Sequence, residues 1–417
     1  MIMAKKVLLV ILDGAADGLI EGKQTTLQAA NKPALDFFAE KGFAGLIDNR
    51  LGTDKFGPDS GVSTFALFGY DPKDYPGRGY LDALGIGLDP KPDEVCIRAN
   101  FATVREVPSS MSTVPYNPKT LLQPDFIVLD RRAGREKEGL KEIAESIASI
   151  SIDGTVVRFH KSVGHRCIVM LRNVLASPHV SDSDPGVAGM KVQEIKPLTN
   201  DNAAVHTASV LNRWTREAGR IMKEHPANKF RMNPANMILL RGASMRREID
   251  SFENMFGKKA ACVAASPVVR GIARATGMDV IDVPGATGDL NTNLRDKAMA
   301  ALDALRKHDF VILHILGPDV AAHDRKFDTK RGFIEKIDRE VFKRIMEYLD
   351  VSSTLLVVTS DHITSIFSGM HESGAFPFAI YGKDVQPNEV RGYDEHSCSR
   401  GPVITIDEFM EILISKT

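Results

Sequence analysis

Seven residues scattered along the chain are of types that bind cations or attack phosphorus: Asp13, Ser60, Asp319, His323, Asp361, His362 and His371. Asp361-His362 sets a hard anionic oxygen beside a nitrogen ligand. Asp319 and His323 lie four residues apart, so on a helix they share one face and form a two-ligand clamp. His371 follows in a glycine-bearing loop that can fold back toward them. One ion can be held by Asp13, Asp361 and His362, and a second by Asp319, His323 and His371. Three crowded carboxylates repel one another, and a dense cation between them resolves the conflict. Oxygen and nitrogen ligands without thiolate suit Mn²⁺, Zn²⁺ or Fe²⁺ better than Ca²⁺. Two ions ~3.5–4 Å apart clamp both oxygens of an in-line phosphoryl displacement. A serine hydroxyl is a weak nucleophile until a metal draws off its proton, and Ser60 is the candidate.

Three apolar runs must position these groups: Lys5–Asp13 (KKVLLVILD), Phe310–Asp319 (FVILHILGPD) and Leu355–His362 (LLVVTSDH). Each reads as a buried strand that ends in a polar break. Laid parallel in one sheet, they bring their C-terminal ends to one edge, where open α/β sheets collect their chemistry. Ser60 closes the glycine-bearing part of Gly52–Ser63 and precedes a helix starting near Gly61, whose positive end favours an anion. Helical patterns cover Thr25–Ala30, Ala34–Glu40, Pro267–Thr276, Thr292–Lys307 and Phe333–Leu349.

Between about Gly85 and Lys259 the texture changes. Strands are expected at Val95–Val104, Phe126–Leu129 and Met237–Leu240, and a hairpin at Thr155–His160 and Arg166–Leu171 around Gly164. An amphipathic helix is expected over Leu140–Ile150, a mobile polar loop over Ser177–Gly189, and a helix capped by Asn202 running to Glu224. Both flanks carry parallel-sheet patterning, so the middle reads as an insertion into one α/β domain. The expected division is 1–80 with 260–417 for the metal-binding domain and 81–259 for an inserted substrate-binding domain.

The 417 residues are 43% hydrophobic and 26% charged, enough to build real cores, and the net charge of −1 gives nucleic acid or an anionic membrane no global attraction. The four cysteines form no CxxC pair, which argues against a zinc ribbon or a disulfide framework. No apolar run reaches the ~20 residues of a membrane helix. A cytoplasmic protein acting on a small molecule is expected, with no nucleic-acid or membrane partner; the oligomeric state is left open.

Taken together, Asp13-Gly14, Ser60 ahead of GYDP, GPDxxxHD at Gly317–Asp324, TSDH at Thr359–His362 and the later His371 resemble the cofactor-independent phosphoglycerate mutases. The archaeal branch, within the alkaline phosphatase superfamily, is the near match. The resemblance runs through YPGRG, RANFATV, DRRAGR, PGATG and the IEKID helix. It implies an alkaline-phosphatase-like three-layer α/β domain with a mostly parallel sheet, and an inserted α+β domain. It also implies exchange of 3-phosphoglycerate with 2-phosphoglycerate through a phosphoserine, without bisphosphoglycerate. Ser60 then matches the nucleophile and a metal ligand. Asp13, Asp361 and His362 match one metal's ligands, and Asp319, His323 and His371 the other's. The two ions would be Mn²⁺ first, with Zn²⁺, Mg²⁺, Fe²⁺ or Co²⁺ as alternatives.

An anionic triose acid calls for planar guanidinium forks. Arg131, Arg132, Arg135, Arg166, Arg241 and Arg270 are the candidates, with the His165 imidazole beside Arg166. Five positions depart from the family's common pattern. Gly61 follows the nucleophile where an acidic residue is frequent, Arg270 and Leu316 stand where many relatives have lysine, and Ile363-Thr364-Ser365 replaces Ser-Thr-Pro. Two rival readings follow: a phosphomonoesterase or a mutase of another phosphorylated metabolite, and a non-catalytic paralogue that binds such metabolites.

Overall fold

The computed structural model describes residues 6–19, 21–49, 60–107 and 125–416; most of the Gly52–Ser63 loop lies outside them. The chain divides into two compact units, residues 1–75 with 248–417 and residues 76–247.

The first unit is built on an eight-stranded sheet. Its spatial order is Asp279–Val280, Ala260–Val263, Phe310–Ile315, Lys6–Leu12, Thr354–Thr359, Gly374–Tyr381, Phe43–Asn49 and Val403–Thr405. The first five strands run parallel, Gly374–Tyr381 is antiparallel to both neighbours, and Val403–Thr405 is parallel to Phe43–Asn49. The central strands are buried on both faces, which is why they read as unbroken apolar runs. Ile11 pairs with His314 on one side and Thr359 on the other. Asp13 and Asp361 each follow two residues later, so the register brings them to one level.

Helices cover both faces. Leu8, Val10 and Leu12 pack with Leu35 and Phe38 of the Pro33–Lys41 helix, with Leu294 and Ala298 of Leu294–Ala304, and with Ile334 and Ile337 of Phe327–Ile337. On the opposite face Phe378 packs edge-on to Phe409 of the Ile406–Ser415 helix. The expected Phe333–Leu349 helix is interrupted by a π turn over Asp338–Phe342. There buried Asp338 accepts from the Leu35 and Ala34 amides at 2.8 and 3.2 Å, capping a helix start that Lys32 leaves without a side-chain cap.

The second unit is α+β. Asp125–Asp130, Glu94–Val107, Arg166–Arg172, Thr155–Lys161 and Ser149–Ile152 form an antiparallel sheet, and Met237–Ser244 also pairs with Glu94–Val107. The Asn202–Glu224 helix buries Val210, Leu211, Trp214 and Ala218 against it, with Trp214 stacked on Phe159. Three local expectations are corrected. Asp201, not Asn202, caps that helix by accepting from the Ala204 amide. The Leu140 helix stops at Ser146, and Ile150 belongs to the following strand, because Ser149–Ile152 finds hydrogen-bonded partners in Thr155–Lys161. The Ser177–Gly189 segment is fastened rather than loose: Ser183 is bonded to both backbone groups of Leu240, and Asp182 accepts from the Gly242 amide.

Among the described residues no helix is long and apolar enough to cross a membrane. The four cysteines are buried free thiols.

Candidate metal centre and active site

The C-terminal edge of the first unit's sheet gathers six of the seven residues that the spacing singled out. Asp13 follows Leu12 directly, and its amide bonds to the Ile315 carbonyl at 3.0 Å. Gly14 turns the chain with a φ of +58°, and a Cβ there would lie 2.6 Å from Thr364 Oγ1 and 2.9 Å from Asp319 Oδ1. Only glycine fits both the backbone and the space. The Gly14 amide donates to Asp361 Oδ1 at 3.2 Å. Asp319 and His323 fall on the short Gly317–His323 helix, with His323 Nε2 3.4 Å from Asp319 Oδ1. His371 Nε2 comes within 3.5 Å of the same oxygen. The rings of His371 and His362 lie 4.2 Å apart, centroid to centroid.

Three sets of groups bring ligand atoms within 4.8 Å of one another: Asp319, His323 and His371; Asp13, Asp319 and His362; and Asp13, His314 and Asp361. The first set is one of the two groupings read from spacing. Asp13 belongs to both other sets, beside His362 in one and Asp361 in the other, and the latter includes His314, which spacing did not pick out. The signal for His314 was a lone imidazole inside an apolar strand, a pattern that core histidines share.

Some buried polar atoms here lack hydrogen-bond partners among the described residues. Asp13 Oδ1 and His362 Nε2 have no aligned hydrogen bond, although they stand 3.2 Å apart. The ring orientations are set from behind. His323 Nδ1 donates to the Gly369 carbonyl at 2.9 Å. Thr364 Oγ1 donates to Asp319 Oδ1 at 2.8 Å and meets His362 Nδ1 at 3.0 Å. A hydroxyl has one proton, so His362 Nδ1 is the donor to Thr364. Both imidazoles therefore turn Nε2 inward, as metal-binding histidines do. The donor set fits a divalent cation of mixed oxygen and nitrogen preference.

The electrostatics point the same way. Burial and Asp13 together push Asp361 above the usual carboxylate range. Burial and Asp319 would raise Asp13 as well, but His314 and His362 outweigh them and hold it low. Burial opposes Asp319 too, yet His371, His323 and His362 keep it well below the usual range. Burial disfavours the charged form of His362, but Asp361, Asp13 and Asp319 overcome it and push it up to about 10. The three carboxylates thus favour positive charge at this spot, which a divalent ion would supply.

Ser60 opens the Ser60–Leu67 helix and is half-buried. Its carbonyl accepts from Thr64 Oγ1 at 2.7 Å, and the same hydroxyl oxygen lies 3.2 Å from Asp361 Oδ2. Asn49 donates to Ser63 Oγ and to the Asp361 carbonyl, tying the helix to the sheet edge. Arg270 stands on the Pro267–Ala275 helix beside the same sheet, paired with Asp282 at 2.7 Å.

The other candidate cations belong to the second unit. Arg98 pairs with Arg241 across adjacent strands. Arg98 and Arg78 lie 3.6 and 3.5 Å from Asp82 Oδ2. Burial, then Arg241 and Arg78, depress the Arg98 guanidinium against the pull of Asp82. His165 is driven down to about 3 by burial and by Arg166, Arg132, Arg98 and Arg135. So Arg132, Arg135, His165, Arg166 and Arg241 share one cationic surrounding, to which Arg98 and Arg78 also contribute. Arg131 is half-buried, and its Nε and Nη2 grip buried Asp184 at 2.8 and 2.6 Å, so this fork also serves the fold.

Comparison with known proteins identifies the family. A family model described as 2,3-bisphosphoglycerate-independent phosphoglycerate mutase matches residues 39–228. The enzyme of that name from Methanocaldococcus jannaschii is 36% identical, over 99% of this chain and 97% of its own. The one from Methanopyrus kandleri is 38% identical, over 96% and 93%. The chain belongs to the 2,3-bisphosphoglycerate-independent phosphoglycerate mutase family. It is an enzyme of that family, with the α/β architecture the resemblance implied. The structure of the cofactor-independent phosphoglycerate mutase from Thermoplasma acidophilum superposes with a TM-score of 0.61 at 31% identity, over 99% of both chains. A protein from Pyrococcus horikoshii superposes at 0.78 with 28% identity, over 100% and 99%.

Proposed function

We propose that this mutase interconverts 3-phosphoglycerate and 2-phosphoglycerate through a phosphoserine at Ser60, beside two divalent cations and without bisphosphoglycerate. The observation that carries the reading is the convergence of Asp13, Asp319, Asp361, His323, His362 and His371 at one sheet edge, with Asp13 Oδ1 and His362 Nε2 buried and unmet. Asp319, His323 and His371 would hold one ion; Asp13, Asp361, His362 and Ser60 would hold the other. Bound there, divalent cations lower the pKa of a hydroxyl and offset the charge of phosphoryl oxygens. The donor set suits Mn²⁺, Zn²⁺ or Fe²⁺, and the family resemblance puts Mn²⁺ first.

In the proposed cycle Ser60 Oγ gives up its proton and forms a bond to phosphorus as the bond to one glycerate oxygen breaks, and that oxygen takes up a proton. The glycerate turns while bound. Its other hydroxyl then gives up its proton and attacks the phosphorus, the bond to Ser60 Oγ breaks, and Oγ takes a proton back. Arg132, Arg135, Arg166 and Arg241 would grip the carboxylate and phosphate, with Arg98 and Arg78 bracing that cationic surface. His165, driven down to about 3, stays neutral through the working pH range and offers an N–H without a full charge. Buried free thiols fit a reducing, cytoplasmic setting.

The test is a coupled assay with 3-phosphoglycerate, with and without Mn²⁺ and with no bisphosphoglycerate. Turnover should need the metal and should vanish in Ser60→Ala while that variant still binds Mn²⁺. Mutase turnover retained in Ser60→Ala would refute the covalent route. Release of free phosphate faster than isomerisation would make the chain a phosphomonoesterase instead.

A further inference from the structure

His314 lies wholly buried in the Phe310–Ile315 strand, level with Ile11 of the neighbouring strand. Its Nε2 stands 3.1 Å from Asp13 Oδ2, while His362 Nε2 stands 3.2 Å from Asp13 Oδ1. The two oxygens of one carboxylate therefore face two different imidazoles. Neither ring nitrogen of His314 makes an aligned hydrogen bond among the described residues; Nε2 approaches Asp13 Oδ2 by distance alone. A histidine that merely filled this strand would leave a buried N–H unmet, whereas an aliphatic residue would not.

The tautomers separate the roles of the two rings. A neutral imidazole carries one N–H and one lone pair. If His314 carries its proton on Nε2, the N–H lies 3.1 Å from an anionic oxygen of Asp13 and the other ring nitrogen keeps only a lone pair. If the proton sits on Nδ1, a buried donor lacks an acceptor and the Nε2 lone pair faces an anion. The first arrangement is favoured on both counts. His362 is the reverse, because its Nδ1 donates to Thr364 and its Nε2 is left for a cation.

We propose that His314 is a positioning residue of the metal centre: it donates from Nε2 to Asp13 Oδ2 and so turns Oδ1 toward the cation that His362 also faces. This rests on the metal-centre reading above. Direct ligation by His314 is the competing role, and it would require the costlier tautomer.

The test uses the full chain. His314→Met removes the donor at similar volume, and His314→Gln keeps an N–H near the place of Nε2. Calorimetric titration with Mn²⁺ should show affinity ~10–100-fold weaker in the methionine variant, the range seen when a ligand's outer partner is lost, and largely restored in the glutamine variant. Imidazole ¹⁵N spectra of the unaltered protein loaded with Mg²⁺ should show His314 protonated at Nε2. Unchanged Mn²⁺ affinity in His314→Met, equal weakening in both variants, or a metal-bound His314 nitrogen in those spectra would each overturn the proposal. Asp361→Asn is the control. If that variant too binds Mn²⁺ unchanged, the metal-centre reading has failed rather than the role of His314.

Discussion

Replacing Lys330 with methionine probes what holds the loops beside the metal centre. Lys330 and Asp17 are both wholly buried, with Nζ 2.6 Å from Asp17 Oδ1 and 3.0 Å from the Thr364 carbonyl. Asp17 also accepts from the Thr26 amide and hydroxyl and from the Ile366 amide. Methionine fills the stem's volume but leaves Asp17 charged in a dry site. Removing one partner of a buried pair costs about 3–5 kcal/mol, a large share of the ~5–15 kcal/mol that holds an ordinary domain together. The Thr364 carbonyl loses its donor as well, so the hydroxyl between Asp319 and His362 loses support. Urea denaturation of Lys330→Met should show a loss of that size, with mutase turnover falling alongside. Asp17→Asn combined with Lys330→Met should lose less than the two single changes added together, since neither charge is then stranded. Stability of Lys330→Met within about 1 kcal/mol of the parent, well short of the cost of a stranded charge, would refute the reasoning. So would simple additivity of the two changes.

Two further tests address the same neighbourhood. Burial first, with Asp17 adding, pushes Glu395 from the ordinary 4.5 up to about 7. A carboxyl raised on folding stabilises the native state fully below about 4.5, and that stabilisation is lost as pH rises through about 7. At ~1.4 kcal/mol per pH unit the gap corresponds to roughly 3 kcal/mol. Unfolding measured from pH 4.5 to 8 should show that decline, and Glu395→Gln should flatten it; an equal slope in both proteins would exclude Glu395 as its source. Thr364→Val keeps the side chain's shape but removes the link between Asp319 and His362, so Mn²⁺ affinity should fall ~10–100-fold while Thr364→Ser keeps it. Equal affinity in the valine variant would show the link to be incidental.

Much of the fold was readable because its signals are local. The runs before Asp13, Asp319 and Asp361 announce strands buried on both faces, and the apolar period of Asn202–Glu224 announces a helix. The Asp319–His323 spacing works for the same reason, since a helix turn sets it without help from the rest of the chain. Boundaries failed where a distant partner decided them. Ile150 keeps helical spacing with Ile143 and Ile147, but the ladder with Thr155–Lys161 claims it. The Phe333–Leu349 stripe is correct as a face, yet a π turn inside it serves the start of another helix.

The sequence by itself determined which residue types could bind metal and which strands carry them, because strand propensity and ligand chemistry belong to the residues. Only the tertiary structure decided how they are shared. It set Asp13 between His314 and His362, hung Thr364 between Asp319 and His362, buried Lys330 on Asp17 and paired Arg131 with Asp184. Each pairing joins segments far apart in the chain, and nothing local distinguishes Arg131 from Arg132 or His314 from an ordinary core histidine. Strand register and close packing settle those contacts, and both come into being only when the whole sheet has formed.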